Sequence, residues 1–481
     1  MRATVVLVWR PKHFPEWQGH GRSGADIPAG LRQDRAVAPY SAIHVASLLP
    51  RHWDVDVVHE SVRDVDLDAP RDVAFLSTMD YCSDHARWLA QRLRERGVKV
   101  VAGGLHPTLN PGRYADVADA VVVGEAEGVI ERLARDLERG TLEPVYAAPP
   151  PSDLSHLPVP RYDLVEDDFQ LPMGYEATRG CPFVCSFCVL AGTRTPYRRR
   201  PVQNVIRDIR AIPAGWGPVK RRWVTFWDNN IGADRAYFRE LCAALAPEKR
   251  VWGTETSFDT ITKESARAMG RAGCRFVYIG LESLAEDSLR LANKRQNRVK
   301  EYRERISWLR ANGMVVMSIF ILGLDGDTAE YLQRLPELIH DVGVDIPVLT
   351  LPVPIEGTPM RRELHEAGRL FEGDRFGAMD GVQLAFEPRR VSSDELLWLY
   401  YDAVRRVHGR RRVLARVARA LGSLPRGPFA ALLGAGSNLF YRQHQSAIAE
   451  TGFERLRARG VSRPVLQPLA PGLPGAGEPV G

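Results

Sequence analysis

Residues 175–188 read YEATRGCPFVCSFC: a strand signal over Tyr175–Thr178, a glycine at Gly180, then cysteines at 181, 185 and 188. Downstream the chain alternates strand and helix signals. The strands are Trp223–Trp227, Val251–Ser257, Phe276–Gly280, Val315–Leu322 and Ile346–Pro352, with helices around Pro201–Ile212, Arg235–Leu245, Lys263–Ala272, Val299–Asn312 and Ala329–Val342 between them. Such alternation over about 180 residues predicts an α/β, TIM-like barrel, and a partial one, because a full eight-unit barrel takes about 250. Barrels of this kind hold their sites at the carboxyl ends of the strands. The three cysteines follow the first strand directly.

Upstream, Thr4–Trp9, Val55–Val58, Val73–Ser77, Val98–Ala102 and Ala120–Val123 read as strands, and Tyr40–Leu49, His85–Gly97 and Gly128–Arg139 as helices. This pattern predicts a doubly wound, Rossmann-like parallel sheet with ligands beyond its strand ends. Ser77-Thr78, Gly103-Gly104-Leu105-His106 and Gly124-Glu125 fall there. Prolines after residue 147 mark a linker. The expected organisation is therefore a Rossmann-like domain over 1–147, a linker over 148–170, the partial barrel over 171–360, a helical domain over 361–460 and a disordered Pro/Gly tail over 461–481.

Composition narrows the class. The 481 residues carry 65 Lys plus Arg against 59 Asp plus Glu and are 44% hydrophobic, enough for two to four cores without disulfides. No apolar run approaches the roughly 18 residues of a spanning helix. Residues 1–10 (MRATVVLVWR) read as a first strand, not a signal peptide, so the expected compartment is the cytoplasm. Arginines 405, 406, 410, 411, 412, 416 and 419 concentrate the +6 charge in one late segment. Its apolar stripe, Leu396 to Val417, fits a helix packed on the barrel or one lying on a membrane surface. Nucleic-acid binding is not expected, because interleaved aromatic platforms are lacking.

Clustered cysteines in a reducing compartment suggest metal, and soft thiolates suit zinc or iron–sulfur clusters. A closed site would want a fourth ligand, yet the next cysteine is Cys242 and the next histidine His340. Three thiolates thus imply a 4Fe-4S cluster with one open iron, against a three-cysteine zinc site or packing cysteines. Cys82, Cys242 and Cys274 read as buried packing residues.

The C-x3-C-x2-C spacing, with Phe187 before the third cysteine, resembles the radical S-adenosylmethionine (SAM) superfamily. By that resemblance Cys181, Cys185 and Cys188 hold the cluster, and the open iron takes S-adenosyl-L-methionine, which is cleaved to a 5'-deoxyadenosyl radical. Phe187 belongs to the same SAM-binding loop. Asp228 and Asn229 stand where the family binds the methionine amino group, although the usual Gly-Gly-Glu is absent and a helix cap would use the same residues. Glu282 and Ser283 stand where it contacts ribose, and Gly323 would let the backbone approach adenine.

A doubly wound domain ahead of such a barrel resembles the cobalamin-binding subclass. Gly103-Gly104-Leu105-His106 and Gly124-Glu125-Ala126-Glu127 look like its paired signatures, so Ser77, Thr78, Gly103, Gly104, His106, Gly124 and Glu125 are the expected cobalamin contacts. No histidine has Asp two residues before it, so the mutase motif for a lower ligand is missing. No G-x-G-x-x-G follows the first strand, which disfavours NAD. Lys294, Leu324–Thr328 and Pro354–Pro359 resemble the subgroup containing the hopanoid C2 methylase, with Glu356-Gly357-Thr358-Pro359 in place of Pro-Gly-Thr-Pro.

The implied activity is a methyltransferase acting on an unactivated carbon of a lipid or natural-product intermediate, through the deoxyadenosyl radical and methylcobalamin. A flavodoxin or ferredoxin would be the reductant. A cobalamin-dependent cyclase, oxidoreductase or rearrangement enzyme is the alternative. An RNA-modifying enzyme would carry further amino-terminal cluster cysteines, and a cobalamin sensor would not need Cys181, Cys185 and Cys188.

Overall fold

A computed structural model describes residues 1–9, 40–60, 62–165, 174–213, 215–371, 381–421, 428–462 and 464. The expected disordered tail lies almost wholly outside these. Two six-stranded sheets organise the chain. The first contains β1 (Arg2–Leu7), β2 (Asp54–His59), β3 (Val73–Ser77), β4 (Lys99–Gly103), β5 (Ala120–Val123) and β6 (Val145–Ala147), all parallel, in the order β2-β1-β3-β4-β5-β6. Val, Ala and Leu runs form these strands because helices cover both faces, so neither face can be polar. Alternation then divides the core: Ala3, Val5 and Leu7 point to one side, Val6 and Val8 to the other. The strand order reverses between β1 and β3, and the crevice beyond the carboxyl ends opens there.

The second sheet has the order β14-β13-β12-β11-β10-β7 and is again parallel. Its strands are β7 (Gly174–Tyr175), β10 (Trp223–Phe226), β11 (Val251–Thr256), β12 (Cys274–Glu282), β13 (Val315–Ile321) and β14 (Ile346–Thr350). The outer strands β7 and β14 do not pair, which leaves the barrel open. A small antiparallel pair, β8 (Thr178–Arg179) with β9 (Arg198–Arg199), stands apart from it.

Three expectations change. The strand read over Tyr175–Thr178 is two pieces in different sheets, because the chain leaves β7 to form the stem of the cysteine loop. β6 was hidden by its length of three residues and the prolines behind it. The irregular segment after β6 is no free tether: Leu154, Leu157 and Tyr162 are buried, and the Tyr162 and Tyr175 rings lie 5.3 Å apart. One continuous hydrophobic core joins one face of the first sheet to the barrel.

The arginine-rich segment is two helices, Ser393–Val407 and Arg410–Leu421, with the long helix Pro428–Ala458 packed against both. Leu396, Leu399, Tyr400, Val404, Val407 and Val413 are buried, so most of the stripe is used in packing and is not presented to a bilayer. Arg406 and Arg412 both pair with Glu337 at 2.7 Å, and Arg416 donates to Asn438 at 2.6 Å. No helix among the described residues is long and apolar enough to cross a membrane.

Candidate active site

The cysteine loop leaves and re-enters the barrel through the β8–β9 stem. Gly180, at φ +79°, is required because a Cβ there would lie 2.2 Å from the Pro196 carbonyl oxygen. From the barrel side, buried Asp228 accepts from the amides of Ala177 and Thr178 and from the Thr178 hydroxyl. Asp228 therefore holds the stem of the loop. Asn229 is exposed.

In the segment Trp227–Asn230 that follows β10, the side chain that reaches a cysteine is Asn230. Its Nδ2 donates to Cys181 Sγ at 3.8 Å, while its Oδ1 accepts from the Ser257 amide and hydroxyl. Gln296 Nε2 donates to Cys185 Sγ at 3.5 Å, and the amides of Phe183 and Leu190 face Cys181 and Cys188. Burial pushes the Cys181 thiol up and the Cys188 thiol up to about 11, a penalty that coordination to a cationic metal would reverse. The donor set thus fits a metal–thiolate group. Among the described residues no three His, Cys, Asp or Glu converge as ligands of one ion. Cysteines serving separate irons of one cluster need not converge on a point.

Beside the loop, Lys294 Nζ lies 5.8 Å from the Phe187 ring centroid and donates to Glu282 Oε1 at 2.8 Å. Glu282 has a left-handed backbone, φ +62°, at the register shift that ends β12. Opposing charge from Glu282 and nearby cysteines raises the Lys294 pKa against the effect of burial. Glu255, on β11 in the same charged surroundings, is pushed up to about 8 by burial and next by Glu282. Ser283 is buried against the Tyr331 hydroxyl at 3.0 Å. A Cβ on Gly323 would lie 2.6 Å from Leu396 Cδ2, so this glycine lets the helix Ser393–Val407 close over the strand end.

Sequence reasoning missed Asn230, Gln296 and Glu255. For Asn230 a signal was available. Trp227 and Asn229 are exposed while Asp228 and Asn230 are buried, so the two-residue period of the preceding strand runs on past its end.

At the first sheet, the loops after β3 and β4 are joined by Thr78 N to Gly103 O at 3.0 Å and His106 N to Thr78 O at 3.1 Å. Gly104, at φ +95°, would bring a Cβ 2.7 Å from the Thr78 amide nitrogen. This glycine is needed for contact between loops, a different reason from the close passage of a ligand. His106 is fully buried against the Tyr114 hydroxyl at 2.9 Å, and burial lowers its pKa to about 4. It supports the loop from beneath. Ser77 and Gly103 are half-buried and Gly124 is exposed at the same edge.

Glu125 turns toward the barrel and pairs with Arg179 at 2.7 Å and with Arg198. Between the two sheets, Gly357 of the Pro354–Pro359 segment meets the cysteine loop at Gly192 on one side and Leu109 on the other. Buried Asp80, after β3, lies near Glu356 and Arg361, and its Oδ1 has no hydrogen-bond partner. An orphaned carboxylate oxygen in this crevice fits a ligand rimmed with amide N–H groups, as cobalamin is.

The radical SAM superfamily pattern matches residues 175–339. Bacteriochlorophyllide d C-12(1)-methyltransferase of Chlorobaculum tepidum is 29% identical over 394 residues, 79% of this chain and 84% of that one. Hopanoid C-2 methylase of Rhodopseudomonas palustris is 26% identical over 355 residues, 70% of this chain and 66% of that one. Among solved structures, the radical SAM methyltransferase TsrM of Kitasatospora setae, with cobalamin and a 4Fe-4S cluster bound, superposes with a TM-score of 0.60 at 14% identity, covering 94% of this chain and 99% of that one. The two-sheet fold is shared with that enzyme. Residues 175–339, with three cysteines on a loop at the end of a partial barrel, are a radical SAM domain.

Proposed function

We propose that this chain is a cobalamin-dependent radical SAM methyltransferase acting on an unactivated carbon of a lipid or natural-product intermediate. The observation that carries the reading is the cysteine loop standing against the strand-end loops of the first sheet, in a chain related to methyltransferases over most of its length. Cys181, Cys185 and Cys188 would each hold an iron of a 4Fe-4S cluster. When bound, the cluster and S-adenosylmethionine supply a 5'-deoxyadenosyl radical, and cobalamin carries the methyl group.

The protein's own part is orientation. Asn230 and Gln296 direct N–H groups at two sulfurs, and the Lys294 ammonium offsets thiolate charge. Glu282 has lone pairs left for ribose hydroxyls beyond the one given to Lys294. Ser77, Gly103, Gly124 and Asp80 line the crevice proposed for cobalamin, while Thr78, Gly104 and His106 hold its loops in shape.

The test is anaerobic reconstitution of the full chain with iron, sulfide and cobalamin, followed by incubation with methyl-labelled S-adenosylmethionine and a reductant. Expected are iron binding that is lost when any of the three cysteines becomes Ala, and S-adenosylhomocysteine formation that requires cobalamin. Iron uptake independent of these cysteines, or no cobalamin binding, would overturn the proposal. Once a substrate is in hand, product without label would point to the cyclase or rearrangement alternative.

A further inference from the structure

Six polar side chains with little exposure meet where the two sheets join. Arg179 donates Nε and Nη2 to Glu176, both at 2.8 Å, and Nη1 to Glu125 and Glu127, both at 2.7 Å. Arg198 clasps both oxygens of Glu125 and also donates to the Pro151 carbonyl at 2.7 Å. His44 Nε2 lies 2.8 Å from Glu127 Oε1. Exposure of the six side chains runs from 7% to 17%, so solvent screens the network poorly. The neighbouring guanidinium and imidazole hold the Glu127 carboxyl well below the ordinary range despite burial.

The placement of the two arginines matters more than their number. Arg179 and Arg198 are direct register partners of β8 and β9, at the two ends of the loop carrying the cysteines. Glu125 and Glu127 follow β5, in the loop that starts at Gly124 on the crevice edge. One ionic knot thus ties the root of the cysteine loop to the strand-end loop of the other sheet. Buried ion pairs add little net stability, because desolvation offsets attraction, but bidentate charge-assisted bonds are geometrically strict.

Resting on the function proposed above, we propose that Arg179, Arg198, Glu125 and Glu127 are positioning residues that set the separation of the cysteine loop from the cobalamin crevice. Loosening them would allow S-adenosylmethionine to be cleaved without productive methyl donation to cobalamin. Reductive cleavage to 5'-deoxyadenosine and methyl donation to leave S-adenosylhomocysteine depend differently on that separation, since only the second needs both sites aligned. Misplacement on the order of 1 Å can cost about a hundredfold in a step that needs alignment.

The test uses the full chain loaded anaerobically with cluster and cobalamin, as wild type, Glu125→Gln, Glu127→Gln, the double variant and Arg198→Lys. The first readout is the electron paramagnetic resonance signal of cob(II)alamin, whose dipolar broadening by the reduced cluster reports the distance between the two centres. The second is the ratio of S-adenosylhomocysteine to 5'-deoxyadenosine formed with titanium(III) citrate as reductant and no substrate. Expected in the double variant are wild-type iron and cobalamin contents, a weaker and more dispersed broadening, and a ratio at least about tenfold lower. Arg198→Lys, which keeps the charge but not the fork, should fall between. Wild-type broadening and ratio in the double variant would overturn the inference. So would failure of all the variants to fold, since the knot would then be structural. A wild-type protein that binds no cobalamin would instead sink the functional reading itself.

Discussion

Replacing Asp228 tests whether this residue holds the cysteine loop or contacts a ligand. Its carboxylate is fully buried and accepts from two backbone amides, Ala177 and Thr178, and from one hydroxyl. In Asp228→Ala the hydroxyl can rotate to another acceptor, but the two amides cannot. Leaving each buried donor unsatisfied costs about 1–3 kcal/mol, hence roughly 4 kcal/mol for the pair. At about 1.4 kcal/mol per factor of ten, that is roughly a thousandfold rise in the opening of the stem. Asp228→Asn retains one acceptor but turns an NH2 toward the second amide, so about 2 kcal/mol and a rise of roughly thirtyfold are expected. Hydrogen–deuterium exchange of peptides covering residues 174–188 measures this directly, with β1 and β3 as internal controls. Less than a tenfold change in Asp228→Ala, with a large loss of S-adenosylmethionine affinity, would refute the stem-holding role and favour the ligand-binding one.

The remaining expectations concern other parts of the molecule. Ala at Cys181, Cys185 or Cys188 should abolish iron binding, measured by metal analysis after reconstitution. Cys242→Ala and Cys274→Ala should keep iron and lose about 1 kcal/mol in denaturant melts through lost packing alone. Gly104→Ala combines a backbone conformation open almost only to glycine with a Cβ 2.7 Å from Thr78 N, so about 3 kcal/mol of destabilisation and weaker cobalamin binding are expected by thermal melting and titration. His106 is held at about 4 in the folded chain against 6.5 unfolded, so the unfolded state binds the extra proton between those values. Its contribution is complete above about pH 6.5 and falls by about 3 kcal/mol as pH drops to 4. Denaturation at a series of pH values should show a shallower acid loss in His106→Gln.

Where sequence reading succeeded, the signals were local. The C-x3-C-x2-C spacing, the β-branched runs and the glycines at strand ends each state a requirement that neighbouring residues impose on one another, so the place of the cysteine loop after the first barrel strand and both parallel sheets were legible. Where it failed, the deciding partner was distant in sequence. Nothing near Asp228 announces that its acceptors will meet Ala177 and Thr178, some fifty residues earlier. Nothing near Gly323 announces Leu396, whose side chain occupies the space a Cβ would take.

Glu125 makes the division clearest. Its position after β5, beside Gly124, was legible and suggested a ligand contact. Only the fold brings Arg179 and Arg198 to it, because two paired two-residue strands place two arginines 19 positions apart in direct register. The sequence alone determined which chemistry the chain can carry, since thiolate number and spacing are covalent facts. Tertiary structure decided which side chains touch that chemistry and which hold it still, because burial turns each charge or N–H toward whatever partner packing supplies.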